Sequence, residues 1–475
     1  MKRIRPFFQL LIALLVLLYI TANYVSYYPD FLEDADYYGI KELPYLSEII
    51  TAGHELHEAV TRPKTRPVPL PPIQEPGLEK PKVSKMRTEA KLPELTDLER
   101  LLQTQGTLQT IMKPDVMFVP GLACLPLATT RYSYLKHNQD IEKYARSTDR
   151  SSTGHRKYFF ALDLYDSAHL LPRLMATIVE IIRFLGPEHC GLSIVEGQSS
   201  DGSQEILQAL AAEIKELGAE YFLTFNTAAQ RAEGKKRIHA LADIRNQALL
   251  PLIENKSFQY SPETRIIFLN DIALCPIDIL ELLHQHIAQD MHITCAMDWI
   301  DDASHFCDVW VSRTIDGDTF FEVPQSLSYE NANNLFFSSP LARSRFEAKQ
   351  PIQVYSCWNG ATILTAEPFM RNDVAFRASN EASGECFMGE PTLLAKDFWR
   401  NGYGRIAVVP SVNIGYNNPA SSVIKKEKGT VELNLLIASE WEKKNGIKEE
   451  INWEKPPKKI KCAPSWKKVS WVPAL

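Results

Sequence analysis

Arg265-Ile266-Ile267-Phe268-Leu269-Asn270-Asp271-Ile272 is an apolar run that ends abruptly in a carboxylate. Residues 266–269 are apolar without alternation, the pattern of a strand buried on both faces of a parallel sheet. Pro276 then stands at the favoured first-turn position of a helix, predicted over residues 277–286. Asp271 therefore falls at the carboxyl end of a central strand. Ligands of open α/β sheets bind at that edge, where a carboxylate can hold a divalent cation against a phosphate. A turn or helix-capping Asp is the competing reading.

Strand and helix patterns alternate on both sides of this stretch. Residues 158–164 read as a strand, 170–185 as an amphipathic helix and 192–196 as a second strand. The polar turn Gly197-Gln198-Ser199-Ser200-Asp201-Gly202-Ser203 leads into a helix over 204–217, so Glu196 and Asp201 come to the same sheet edge as Asp271. A surface turn with a capping residue would look alike. Residues 220–225 form a third strand. The helix over 237–252 carries Arg245, which could reach a phosphate, a carboxylate or an exposed salt bridge.

Residues 293–297 form another strand, ending in Asp298-Trp299, with Asp301, Asp302 and Asp308 close behind. With Trp299, Phe306 and Trp310, these acids suit sugar hydroxyls and ring faces, or else make a solvated loop with aromatic anchors. Arg313 offers a planar fork for a phosphate. Trp358, Asn359 and Gly360 supply an aromatic wall, an amide and a close backbone approach. Glu385 and Glu390 lead a helix over 392–401, and 405–410 is the last strand. The whole predicts an α/β fold with a mixed, mostly parallel sheet flanked by helices.

The chain has 475 residues, 45% of them hydrophobic, and a net charge of −6, which argues against a nucleic-acid partner. Its eight cysteines include no CxxC pair and no His/Cys cluster at zinc spacing, so a structural zinc site of that kind is not expected. Cys190, Cys275, Cys295, Cys307, Cys357 and Cys386 are either disulfide partners in an oxidising lumen or buried thiols. Lys2, Arg3 and Arg5 precede an uncharged stretch whose centre, 10–20, is almost purely aliphatic. Positive charge before it and acids after it predict a cytoplasmic tail (1–6), a transmembrane signal anchor (7–28) and a lumenal body, with a cleaved signal peptide as the competitor. Prolines crowd residues 63–93, so 29–115 reads as an extended stem. A catalytic body over 116–425 and a basic, Trp-containing tail over 426–475 follow; the tail reads as irregular from Glu440 and is given no chemistry. Asn255-Lys256-Ser257 is a glycosylation sequon, as a lumenal loop would allow.

In this order the pieces resemble a GT-A glycosyltransferase, with its Rossmann-type fold. VEGQSSDGS (195–203) is similar to a nucleotide-binding VDDGSTDGT element, IIFLND (266–271) to a metal-binding strand end, and MGEPTLLAKDFWRNGYGRI (388–406) to a GED-to-GYRI segment. CAMDW (295–299), DVWVSRTIDGDTF (308–320), SCWNGATIL (356–364) and ECFMGEPTLLAKDFW (385–399) resemble, more narrowly, the fungal α-1,3-mannosyltransferase family of capsule-associated proteins. That resemblance implies a single-pass type II Golgi membrane enzyme, acting in glycan or capsule polysaccharide synthesis beside other Golgi transferases. It would move mannose from GDP-mannose to a mannoside acceptor with retention, using a divalent cation such as Mn²⁺. It further implies donor contacts at Glu196, Asp201, Arg245, Asp298 and Arg313, a metal at Asp271, a pocket at Asp308, Trp358, Asn359 and Gly360, and catalysis at Glu390 with Glu385. The sequence departs from the wider pattern in three places. Asn270-Asp271 offers one acid where two or three are usual, Gly197 replaces a second acid, and Tyr416-Asn417 stands where a late His would be.

Two other classes remain open at this point. One is a catalytically silent Golgi sugar-binding or scaffold protein of the same fold, kept alive by the single acid at Asp271. The other is a nucleotide-cofactor enzyme such as a methyltransferase, disfavoured because Asp163-Leu164-Tyr165-Asp166 stands where a glycine-rich turn is required.

Overall fold

A computed structural model describes residues 97–113, 122–125, 127, 130–136, 156–226, 235–254, 259–300, 303–324, 331–465 and 467–475. The expected anchor (7–28), the stem before residue 97, the sequon at Asn255 and the acids Asp301 and Asp302 lie outside the described residues. Among the described residues no helix is long and apolar enough to cross a membrane.

The central sheet is built from β1 (Arg156–Leu164), β2 (Cys190–Glu196), β3 (Glu220–Phe225), β4 (Tyr260–Leu269), β5 (Ile293–Ile300), β6 (His305–Phe306), β7 (Arg313–Thr314), β8 (Ile352–Ser356), β9 (Ala361–Thr365) and β10 (Ile406–Ile414). Its order is β3-β2-β1-β4-β9-β5-β10-β8-β7, with β6 hairpinned onto β5. Parallel pairing joins β3, β2, β1 and β4, and joins β5 to β10; β9 enters antiparallel between β4 and β5, so those two strands keep a common direction. The sheet is thus mixed and mostly parallel, as its apolar runs predict.

Those runs lack alternation because both faces are covered. Phe160, Leu162 and Leu164 of β1 and Ile267 and Leu269 of β4 belong to one core. Their neighbours Phe159, Ala161, Ile266 and Phe268 belong to the other. Helices α1 (Asp97–Met112), α2 (Leu171–Leu185), α3 (Ser203–Leu217) and α5 (Pro276–Ala288) cover the first face; α4 (Lys235–Glu254), α6 (Pro340–Glu347), the short α7 (Glu367–Met370) and α8 (Glu390–Arg400) lie on the second. Period-two side-chain direction turns one apolar run into two cores. Trp299 (2% exposed) and Phe306 are members of the second core, which corrects their reading as surfaces for sugar rings.

The carboxy-terminal region is folded, against the expectation of an irregular tail. After α9 (Asn418–Lys428), Thr430 caps α10 (Val431–Asn445) by accepting the Leu433 N–H, and β11 (Lys459–Ser465) pairs with β12 (Lys468–Pro473). Ile460 and Ala474 complete a small core with Tyr355, Met388 and Leu393. Gly317 has φ of +87°, and a Cβ there would stand 2.2 Å from the Lys459 carbonyl oxygen, so only glycine lets this hairpin dock. Disulfides join Cys124 to Cys275, Cys295 to Cys357 and Cys386 to Cys462, while Cys190 and Cys307 remain thiols.

Candidate active site

The carboxyl edge of the sheet opens into a cleft of 350 Å³ lined in part by Asp163, Tyr165, Gly197, Asn226, Arg237 and Asp271. Asp271 stands exposed just beyond β4, whose last turn is fixed by the Asn270 N–H donating to the Gly360 carbonyl at 2.8 Å. The cleft walls raise the Asp271 pKa by excluding water, with the nearby His169 opposing. Asp163, one residue before the end of β1, was not singled out from the sequence as a site residue. Its Oδ1 is shut off from water with no hydrogen-bond partner. Burial, with the charges of Asp271 and Glu390 adding and Arg245 opposing, pushes its carboxyl up to about 6. The signal was the same as for Asp271: an apolar run interrupted by one acid at a strand end.

The two acids of the β2–α3 turn brace the chain. Glu196 is fully buried and accepts the N–H groups of Gln198 (2.7 Å) and Ser199 (2.9 Å) together with the Ser199 hydroxyl. Asp201 accepts from the Ala168 N–H at 2.8 Å and from Ser203 through its N–H (3.0 Å) and hydroxyl (2.7 Å). The β1–α2 and β2–α3 loops are thereby fastened to each other, and the backbone at Gly197, rather than these carboxylates, lines the cleft.

On the inner wall, Arg245 of α4 forms a buried ion pair with Glu390, the first residue of α8. The Arg245 guanidinium lies 4.4 Å above the Trp358 ring and 5.9 Å from the centre of the Phe376 ring, and its Nε has no partner. Asn246 fixes the Phe376 backbone by a reciprocal pair of hydrogen bonds at 2.8 and 2.9 Å. The Trp358 indole donates to Asn270 Oδ1 at 3.0 Å. Asn270 is therefore an acceptor that orients Trp358, which explains why an amide neighbours Asp271. Asn359 is fully buried at φ +56°; it donates its N–H to Asp308 Oδ2 (2.7 Å) and its side-chain amide to the Ala296 carbonyl (2.7 Å). Gly360, at φ +73°, leaves room for Ile272 and Ile414. Behind this turn, Asp298 and Asp308 face each other. Burial raises both pKa values, Asp308 to about 6; the Asp308 charge adds to the rise at Asp298, and the Glu390 charge to that at Asp308.

Two expected site residues are structural. Arg313 is fully buried and donates to the carbonyls of Lys461 (2.7 Å), Trp310 (2.9 Å), Ser312 (2.7 Å) and Val309 (3.3 Å). These four carbonyls engage Nε and Nη1, Nη2 is buried beside them without a partner, and Arg313 does not line the cleft. Glu385 accepts from Arg377 (2.7 and 3.0 Å), from Lys396 (2.8 Å) and from the Asn380 N–H (2.9 Å). These donors, Arg377 foremost, hold its pKa far below the ordinary carboxylate range, so Glu385 does not exchange a proton near neutrality.

The family model described as Cryptococcal mannosyltransferase 1 matches residues 157–397. The alpha-1,3-mannosyltransferase CMT1 of Cryptococcus neoformans var. neoformans serotype D is 37% identical over 317 residues, 65% of this chain and 67% of that protein. With these matches, the sheet-edge cleft and its acids define a glycosyltransferase that moves mannose. The chain belongs to the fungal cryptococcal mannosyltransferase 1 family. Among solved structures, the mannosyltransferase PcManGT from Pyrobaculum calidifontis in complex with GDP-Man and Mn2+ aligns over 66% of this chain and 67% of its own, at 10% identity and a TM-score of 0.30. GalNAc-T7 with UDP, GalNAc and Mn2+ covers 55% of this chain and 42% of its own at 13% identity and a TM-score of 0.33. Likenesses this loose carry no argument about ligand or mechanism.

Proposed function

We propose that this chain, as a GT-A-type enzyme, transfers mannose from GDP-mannose to a mannose-containing acceptor, forming an α-1,3 linkage with retention, in the Golgi lumen behind an N-terminal membrane anchor. The observation that carries the reading is the meeting of Asp163 and Asp271 in one cleft beside the Arg245–Glu390 pair. The residues fit a divalent cation such as Mn²⁺. Asp271 offers exposed carboxylate oxygens, and the orphaned Asp163 Oδ1 supplies a second hard oxygen, the donor type such ions prefer. Bound there, the cation would offset charge on the departing diphosphate.

The remaining work belongs to the chain. Backbone at Gly197 and the side chains of Asn226 and Arg237 line the space for the nucleotide. Trp358, 3% exposed in the second core, is held by Asn270 and backs Arg245 from behind rather than facing the sugar. In this reading Glu390, held by Arg245, would accept a hydrogen bond from the acceptor hydroxyl or stabilise positive charge at the sugar. Attack from the face that the diphosphate leaves would preserve the anomeric configuration, and neither role requires Glu390 to be a general base.

The test is transfer of labelled mannose from GDP-mannose to an α-mannobiose acceptor, with and without Mn²⁺, by the native chain and by Asp271→Ala. Metal-dependent product that disappears in the variant supports the reading, and the anomeric coupling in the product reports retention. A folded native chain that yields no product with any sugar nucleotide favours the sugar-binding or scaffold protein instead.

A further inference from the structure

Behind the Trp358–Gly360 turn, the end of β5 and the loop after β6 bring ligating atoms together. A carboxylate oxygen of Asp298, at the end of β5, a carboxylate oxygen of Asp308 and the Cys307 sulfur all lie within 4.8 Å of one another. Asp298 is 0% exposed; its Oδ2 accepts from the Tyr416 hydroxyl at 2.6 Å, and its Oδ1 has no partner. Asp308 accepts the Asn359 N–H at Oδ2. Cys307 is a thiol in a body where six other cysteines are bridged. No Lys or Arg forms an ion pair with Asp298 among the described residues. Two carboxylates pressed together, one fully buried with an orphaned oxygen and the other partly buried, are unfavourable unless a cation or a shared proton joins them.

We propose that Asp298, Cys307 and Asp308 bind a zinc-class divalent cation at a site separate from the donor cleft. The donor set decides the class. A thiolate with two carboxylates suits borderline ions such as Zn²⁺ or Co²⁺, whereas Mg²⁺ and Ca²⁺ prefer all-oxygen sites. The sequence concealed the site because its ligands form no CxxC or His/Cys pattern. Its action is mechanical. By fixing Asp308, the cation holds the Asn359 N–H and so the turn that carries Trp358.

This inference stands apart from the donor reading, and its test is spectroscopic. The full-length chain, stripped with a chelator, is titrated with Co²⁺ alone and watched for a sulfur-to-cobalt charge-transfer band in the near ultraviolet. Expected is a saturable band in the native chain that is retained in Cys190→Ser and in Asp271→Ala and absent in Cys307→Ser. Asp298→Asn keeps the thiol yet lowers Co²⁺ affinity by roughly 10- to 100-fold, a second reading should Cys307→Ser fail to fold. No band in the native chain at saturating Co²⁺ overturns the proposal and leaves a proton-sharing cluster. A band that survives Cys307→Ser overturns it equally.

Discussion

At the scale of single residues, the site divides into groups that face the cleft and groups that hold them. Asp163 belongs to the first kind, and its strain makes a prediction with a definite sign. Its folded-state pKa of about 6 lies above the unfolded carboxylate value, so its charge opposes folding at neutral pH, and the penalty fades as pH falls through 6 towards 4. In metal-free buffer at pH 7, Asp163→Asn should stabilise the fold by about 1–2 kcal/mol, with no gain at pH 4, while mannosyl transfer falls. Denaturant titration at the two pH values checks it, and equal effects at both would refute the assignment. The Arg245–Glu390 pair makes the opposite prediction. Arg245→Ala leaves Glu390 buried without its partner and should cost about 3–5 kcal/mol, whereas the double variant with Glu390→Gln should recover much of that loss.

What the sequence disclosed at this scale follows a physical rule. Asp271 and Glu390 were legible because strand ends and helix starts leave a pattern in neighbouring residues. Arg313 was misread because the carbonyl of Lys461 that claims it arrives from 148 residues away, and no local pattern records that meeting. Asp163 carried the right signal, but it was weighed only as the absence of a glycine-rich turn.

At the scale of elements, the start of α8 sets the position of Glu390. Gly389 precedes it, and a Cβ there would stand 2.7 Å from Val311 Cγ1 and 3.2 Å from the Trp310 ring. Gly389→Ala should therefore push α8 outward, lowering transfer by about tenfold or more through a small misplacement of Glu390, with a stability loss of about 1–3 kcal/mol. Transfer rates and thermal melts of the same preparation separate the two effects. The entry to β10 gives a pH-dependent prediction. His292 Nδ1 accepts the Arg405 N–H at 3.1 Å; burial, then the Arg405 charge, push its pKa down to about 4. A depressed imidazole favours folding above its unfolded value near 6.5, and that contribution is lost as pH falls from 6.5 to 4. His292→Gln, which keeps an acceptor but cannot titrate, should flatten the decline of melting temperature over that interval. Strands β1, β2 and β4 were legible because both faces bury apolar side chains, while β11 and β12, short and rich in lysine, lacked that signal.

At the scale of the whole molecule, the described body from α1 to β12 is closed by covalent links of long reach. Cys124–Cys275 spans 151 residues of sequence and Cys386–Cys462 spans 76. Bridges of this span restrict the unfolded chain by about 4–5 kcal/mol each in the entropy model. Reduction should therefore lower the melting temperature well beyond what single surface substitutions do, a shift read by melts with and without a phosphine reductant. The acid-rich edge and the succession of strands and helices were visible in the sequence, whereas the strand order and the sealing of the body by residues 426–475 were not.

Ala474 is fully buried, and its carbonyl accepts the Tyr355 hydroxyl at 2.6 Å. Synthesis runs from the amino terminus, so Tyr355 and Arg313 must wait for partners that emerge 119 and 148 residues later. The small core around Tyr355 therefore cannot close until residues 460–474 are available. A nonsense codon before residue 460 would then act like a core lesion, and such a truncated product becomes a client for retention and degradation before it reaches any substrate.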